Sequence, residues 1–196
     1  MAHHAAMRLA IEEAERARGK TGDNPWVGCV LVADGGVVVA RGHTQGPGED
    51  HAEIVAMHEA RQGGVDLASV TLYSTLEPCA FHGRTPACAR AIVDAGVRRV
   101  VVGILDPNPR VDGAGLRILT DAGVAVVRDV QAPAITQQLG PWLLRYHPHE
   151  PERRARALFE GNGRSVLGAA VALSTLYGMS SEDALALATR ACASSG

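Results

Sequence analysis

The sequence predicts an α/β domain: a mixed sheet of about five strands with helices on both faces. Three observations predict it. VGCVLVADGGVVVARG reads as an antiparallel hairpin, Val27–Ala33 and Val37–Arg41, around an Asp34-Gly35-Gly36 turn. After residue 50, strand-like runs alternate with helical periodicity, the pattern of right-handed crossovers between parallel strands. RRVVVGIL is apolar without interruption after its arginines, as a strand covered on both faces must be.

Each element has its own signal. Residues 5–18 set Met7, Ala10, Ile11 and Ala14 on one helical face, and Gly19 ends that helix. After the hairpin, HAEIVAMHEARQGG is a helix closed by glycines, and ASVTLYST is a strand. TPACARAIVDAG is a second helix, with Thr85 as N-cap and Pro86 at its first position. RRVVVGIL follows, then a short helix over residues 113–122 and a last strand, VAVVRDV. Beyond Val130 the texture changes. HPHEPERR reads as a linker, rich in proline and charge. SVLGAAVALSTLYG and SSEDALALATRACA read as two helices, the second capped by Ser180 or Ser181. Residues 1–130 are expected to form one domain, and 131–196 a linker and helical tail.

Composition excludes several classes of function. The chain is 46% hydrophobic and 20% charged, ordinary for a soluble globular protein. Its net charge is −2, no basic run stands out, and aromatic residues are few, which argues against nucleic acid as a partner. No apolar run is long enough to cross a membrane, and no signal peptide is evident. A cytoplasmic protein is expected, in which four cysteines seldom mean a disulfide framework.

That expectation bears on LEPCAFHGRTPAC, where eight residues separate Cys79 from Cys88. The pair is a disulfide, two buried thiols or two metal ligands. His51-Ala52-Glu53 opens the preceding helix, and both clusters lie where a strand hands over to a helix. Ligands bind at such strand ends in open α/β sheets. Helix N-termini favour the thiolate. One histidine and two cysteines leave a fourth position open, the pattern of a catalytic zinc, which lowers the pKa of bound water to about 7. Glu53, two residues after His51, is placed to exchange protons without binding the metal. The plainer alternative for Glu53 is a first-turn carboxylate that complements the helix dipole.

His-x-Glu followed by Pro-Cys and a second Cys resembles the zinc deaminases of the cytidine deaminase superfamily. The eight-residue spacing ending in GRTPAC is similar to the pyrimidine deaminases of riboflavin biosynthesis. TGDNPWVGCVLV and DPNPRVDGAGL are similar to two further segments of that family. The resemblance runs from about Met7 to Val130. It implies a three-layer α/β/α cytidine deaminase-like fold. The implied reaction is hydrolysis of the 2-amino group of 2,5-diamino-6-ribosylamino-4(3H)-pyrimidinone 5′-phosphate. It further implies one zinc per chain on His51, Cys79 and Cys88, with Glu53 as the proton shuttle. Asn24 would hold the pyrimidine edge, and Arg84 and Thr85 would meet the 5′-phosphate. Asp106 and Asn108 would meet the ribose or shape its loop. His43 reads equally as a pocket residue or a loop residue. Asn24, Asp106 and Asn108 also read as turn formers, and Arg84 as a surface charge.

Three departures fall on the substrate side. Phe81 stands where the family usually has histidine, and His82 beside it is the nearest candidate for a substrate contact. Val55 stands where a histidine is frequent, and the loop GHTQGPGED is about one residue longer. They keep open a deaminase of the same build acting on another aminopyrimidine or purine. A non-catalytic zinc-binding module is the third reading. Residues 131–196 are too few for the reductase domain that often follows such deaminases, so a lone deaminase is expected, with a separate reductase acting next. The superfamily usually assembles, which implies a homo-oligomer. EGNGRSVLG is similar to the loop after the nucleophile of cysteine-dependent phosphatases. Leu158 stands at the nucleophile position and Ala157 at the histidine before it, so phosphatase chemistry has no thiolate to use.

Overall fold

The structure, a computed structural model, describes residues 2–81, 83, 86–109, 111–161 and 165–193. His82, Arg84 and Thr85 therefore lie outside the described residues, as does Arg164 of the EGNGRSVLG segment. The elements are α1 (Ala2–Glu15), β1 (Gly28–Ala33), β2 (Val38–His43), α2 (Ala52–Gln62), a 3-10 turn (Leu67–Ser69) and β3 (Val70–Leu76). Then come α3 (Cys88–Asp94), β4 (Arg99–Ile104), α4 (Ala114–Asp121), β5 (Ala125–Val127), α5 (Ala132–Tyr146), α6 (His149–Gly161), α7 (Val166–Tyr177) and α8 (Ser181–Ala193).

The expected mixed five-stranded sheet is found, in the order β2-β1-β3-β4-β5. β1 is antiparallel to β2 and β3, whereas β3, β4 and β5 are parallel. The registers Gly28↔His43, Cys29↔Ser74 and Leu76↔Ile104 bring the start of β1 and the ends of β2, β3 and β4 to one edge. Two glycines set the layers. A Cβ on Gly28 would overlap the Ala10 carbonyl oxygen of α1, and a Cβ on Gly42 would overlap the Ala52 carbonyl oxygen of α2. Gly42 pairs with Cys29, one residue along from Gly28, and successive strand residues point to opposite faces. α1 and α2 thus cover opposite faces of the sheet. α3 packs beside α2 and α4 beside α3.

The chain divides into two compact units, Met1–Ile135 and Thr136–Gly196. In the first, Met7, Leu31, Leu72, Ile92 and Leu119 are fully buried around the sheet. In the second, α6, α7 and α8 pack on one another and bury Ala155, Leu173 and Ala188. No described helix is long and apolar enough to cross a membrane.

HPHEPERR is not a linker: His149 begins α6, Pro151 sits in its first turn where a missing N–H costs little, and Glu150 and Glu152 complement the dipole. The same helix contains Leu158, so the phosphatase-like segment has no nucleophile loop at that point. α5 was not foreseen, because Pro141 lies inside it. α3 begins at Cys88 with Ala87 as N-cap and no side-chain cap, which leaves Pro86 outside the helix. VAVVRDV pairs only over Ala125–Val127, since Asp129 turns away at φ 63°. Ser180 caps α8: its Oγ accepts from Asp183 N at 3.1 Å and donates to Asp183 Oδ2 at 2.7 Å.

Candidate active site

His51 is the N-cap of α2, with extended backbone at φ −76° and ψ 163°. Cys88 is the first residue of α3, and Cys79 follows the end of β3. The Cys88 Sγ lies 3.3 Å from His51 Nδ1, and the Cys79 Sγ lies 3.8 Å from the same atom. All three donor atoms lie within 4.8 Å of one another. Among the described residues this is the one such cluster of His, Cys, Asp or Glu. A tetrahedral zinc with usual bond lengths sets its nitrogen and sulfur ligands about 3.6 Å apart. The two observed separations bracket that value, so the donor set fits zinc in both chemistry and spacing. The backbone completes the arrangement. Cys88 N donates to Cys79 Sγ at 3.2 Å, and Ala89 N donates to Cys79 O at 3.1 Å.

The electrostatics are those of a site poised for a cation. The Cys88 thiol and backbone N–H, together with His51, hold the Cys79 sulfur as a thiolate, with its pKa lowered to about 4. Cys88 is pushed up, first by sharing its proton with Cys79 and then by burial and the nearby Glu53. A divalent ion held by these residues would remove that conflict and favour both thiolates. His51 is raised, first by its hydrogen bond to Cys79. Glu53 lies in the first turn of α2 and is 4% exposed, and burial pushes its carboxyl up to about 7.

The other candidates are placed less uniformly. Asn24 lies in the turn before β1, where its N–H donates to Thr21 O and its carbonyl accepts from Thr21 Oγ1 at 2.7 Å. Asp106 is buried beyond the end of β4, and its Oδ1 accepts from Asn108 N at 2.9 Å. Burial raises the Asp106 carboxyl to about 6. Asn108 O accepts from Val111 N and Asp112 N, so both residues shape the loop into α4. His43 pairs with Gly28 and so faces α1, where its Nδ1 lies 2.8 Å from Oε1 of the buried Glu13. The face that α2 covers belongs instead to Gly42.

Glu77 escaped the sequence reading. It is buried, and its two carboxylate oxygens accept four backbone N–H groups, from Asp106, Gly113, Gly115 and Leu116. The only sequence signal is a charged residue closing an apolar strand two positions before Cys79.

Comparison with known proteins agrees with this geometry. The riboflavin biosynthesis protein RibD of Escherichia coli (strain K12) is 48% identical over 120 residues, 61% of this chain and 32% of that one. The chloroplastic riboflavin biosynthesis protein PYRD of Arabidopsis thaliana is 46% identical over 125 residues, 64% of this chain and 28% of that one. The chain thus spans about a third of the length of these curated relatives. Among solved structures, Acinetobacter baumannii RibD (form 1) is similar with TM-score 0.67 and 38% identity, over 74% of this chain and 40% of that one. The diaminohydroxyphosphoribosylaminopyrimidine deaminase/5-amino-6-(5-phosphoribosylamino)uracil reductase of Thermotoga maritima gives 0.71 and 35%, over 76% and 42%. The α/β/α fold is the one these neighbours share. The family model for the cytidine and deoxycytidylate deaminase zinc-binding region matches residues 1–104, more than half of the chain. The chain belongs to the cytidine and deoxycytidylate deaminase zinc-binding family.

Proposed function

We propose that this chain is a zinc-dependent hydrolytic deaminase that removes the 2-amino group of 2,5-diamino-6-ribosylamino-4(3H)-pyrimidinone 5′-phosphate. The observation that carries the reading is the meeting of His51, Cys79 and Cys88 beside a buried Glu53. The eight-residue spacing between the cysteines and the names of the RibD relatives support the substrate.

His51, Cys79 and Cys88 would hold the ion. When bound, zinc supplies Lewis acidity and lowers the pKa of water to about 7. Glu53 takes a proton from the attacking water and delivers protons to the ring and to the leaving amine. A carbon–oxygen bond forms, the carbon–nitrogen bond breaks, and ammonia leaves. The burial of Glu53 in the first turn of α2 suits a group that must change protonation state in each turnover. Asn24 offers its amide to the pyrimidine edge. Asp106 and Asn108 hold the loop beside the ribose, and Arg84 and Thr85 receive the phosphate. His43, turned to Glu13, contributes from the rim at the end of β2.

A second reading rests on Phe81 and Val55. Phe81 covers Gly83, whose added Cβ would lie 3.2 Å from the ring, and Val55 packs against Gly42 of β2. Neither offers the polar group that the riboflavin enzymes usually present there. This motivates a related aminopyrimidine or a purine as substrate.

The test is ammonia release by zinc-loaded protein on the diaminopyrimidinone ribosyl phosphate, with Glu53→Ala as control. Release that disappears in the variant supports the first reading. No release from protein holding one zinc per chain removes it, and release from a free aminopyrimidine or purine then supports the second.

A further inference from the structure

We propose that Glu77 is a positioning residue for the metal centre, one that couples the Cys79 ligand segment to the loop carrying Asp106 and Asn108. The proposal rests on Cys79 as a metal ligand and not on the identity of the substrate. Glu77 is 3% exposed and ends β3 two residues before Cys79. Its Oε1 accepts from Gly115 N at 2.9 Å and Leu116 N at 3.2 Å. Its Oε2 accepts from Gly113 N at 2.9 Å and Asp106 N at 3.3 Å. Its own N–H donates to Ile104 O at 2.9 Å. One side chain therefore gathers the end of β4, the loop beyond it and the first turn of α4.

The following residue is clamped from the same side. A Cβ on Gly115 would overlap the Pro78 carbonyl oxygen, so α4 meets the Glu77-Pro78 backbone with no room between them. The chain then delivers Cys79, whose sulfur also receives the Cys88 N–H. A shift of the α4 N-terminus must move Pro78, and with it the ligand. The two oxygens offer lone pairs to four donors, which no other side chain of this length can do. Glutamine would set its –NH₂ group against one pair of N–H donors. Glutamine at this position is isosteric and still wrong.

A purely structural helix cap would stabilise the fold and leave the metal untouched, so the experiment separates the two roles. In the native chain, hydrogen exchange of the Gly113, Gly115 and Leu116 amides is compared between zinc-loaded and metal-free protein. Coupling predicts exchange slower by about tenfold on loading, with the Leu187 amide in the second unit as an unaffected reference. Equal rates in the two states overturn the proposal. In Glu77→Gln, the zinc dissociation constant should rise about ten- to a hundredfold, and the sulfur-to-cobalt absorption of the cobalt-substituted protein should shift. A variant that only melts earlier, with unchanged zinc affinity and cobalt spectrum, also overturns it. If Glu77→Gln does not fold, the exchange measurement on the native chain decides alone. Zinc binding without deamination removes the proposed function and leaves this inference standing, whereas failure to bind zinc overturns both.

Discussion

Glu53 and Glu77 are buried almost equally, 4% and 3% exposed, yet their surroundings differ in kind. Glu53 sits in the first turn of α2 among His51, Cys79 and Cys88, and its carboxyl is pushed up to about 7 by burial. Glu77 has its lone pairs taken by four backbone N–H groups from residues 106–116. Backbone amides fix a carboxylate in one pose, whereas an imidazole and thiols can exchange protons with one. Burial alone therefore does not separate a proton shuttle from a brace; the identity of the hydrogen-bond partners does.

The contrast can be broken by substitution. The largest effect is expected at the ligands. Cys88→Ser should lose bound zinc, measured by metal analysis, and with it the increase in melting temperature that zinc gives the native chain. Glu53→Ala should keep its zinc and lose about 10²–10⁴-fold in kcat, measured by ammonia release. Retained activity would return Glu53 to the role of a dipole-compensating carboxylate. Gly115→Ala should destabilise the first unit by about 1–3 kcal/mol in denaturant unfolding, because the new methyl meets the Pro78 carbonyl.

Asp106 gives a smaller effect that depends on pH. Its carboxyl is raised to about 6 by burial, with Glu77, Cys79 and Asp112 adding to the shift. A raised carboxyl means that the folded state holds the proton more tightly than the unfolded chain. The stability it contributes is complete below about pH 4 and is lost as pH rises through about 6. Asp106→Asn keeps an acceptor for Asn108 N and removes this titration. Its stability relative to the native chain should rise by about 1–3 kcal/mol between pH 4 and 6 and stay level above, measured on zinc-loaded protein. The smallest effect is expected at Arg99, whose bond to Asp34 at 2.8 Å is exposed. Arg99→Ala should change stability by less than about 1 kcal/mol.

Much of the first unit was legible because its signals are local. The Asp34-Gly35-Gly36 turn marks the hairpin, the apolar run of β4 marks a buried strand, and the spacing of His51, Cys79 and Cys88 marks a ligand set. What escaped the sequence depends on distant partners. The donors to Glu77 lie 29 to 39 residues further along the chain, and no window around LEPC contains them. His43 faces α1 because its register partner is Gly28, a pairing across the hairpin that composition does not reveal. In the second unit, prolines at 141 and 151 argue locally against helix. Tertiary packing overrides that for α5, and the permissive first turn does so for α6. α3 starts at Cys88 with Ala87 as its N-cap, later than the Pro86 signal places it.

The most direct measurement is ammonia release per bound zinc for the native chain, Glu53→Gln and Glu77→Gln side by side. Glu53→Gln should hold zinc and lose at least about a hundredfold in rate per zinc. Glu77→Gln should bind zinc more weakly yet keep its rate per bound zinc within about tenfold of native, since its role is to position the ligand. A Glu53→Gln protein that still releases ammonia at the native rate would contradict the assignment of Glu53 as the proton carrier, and with it the mechanism proposed for the site.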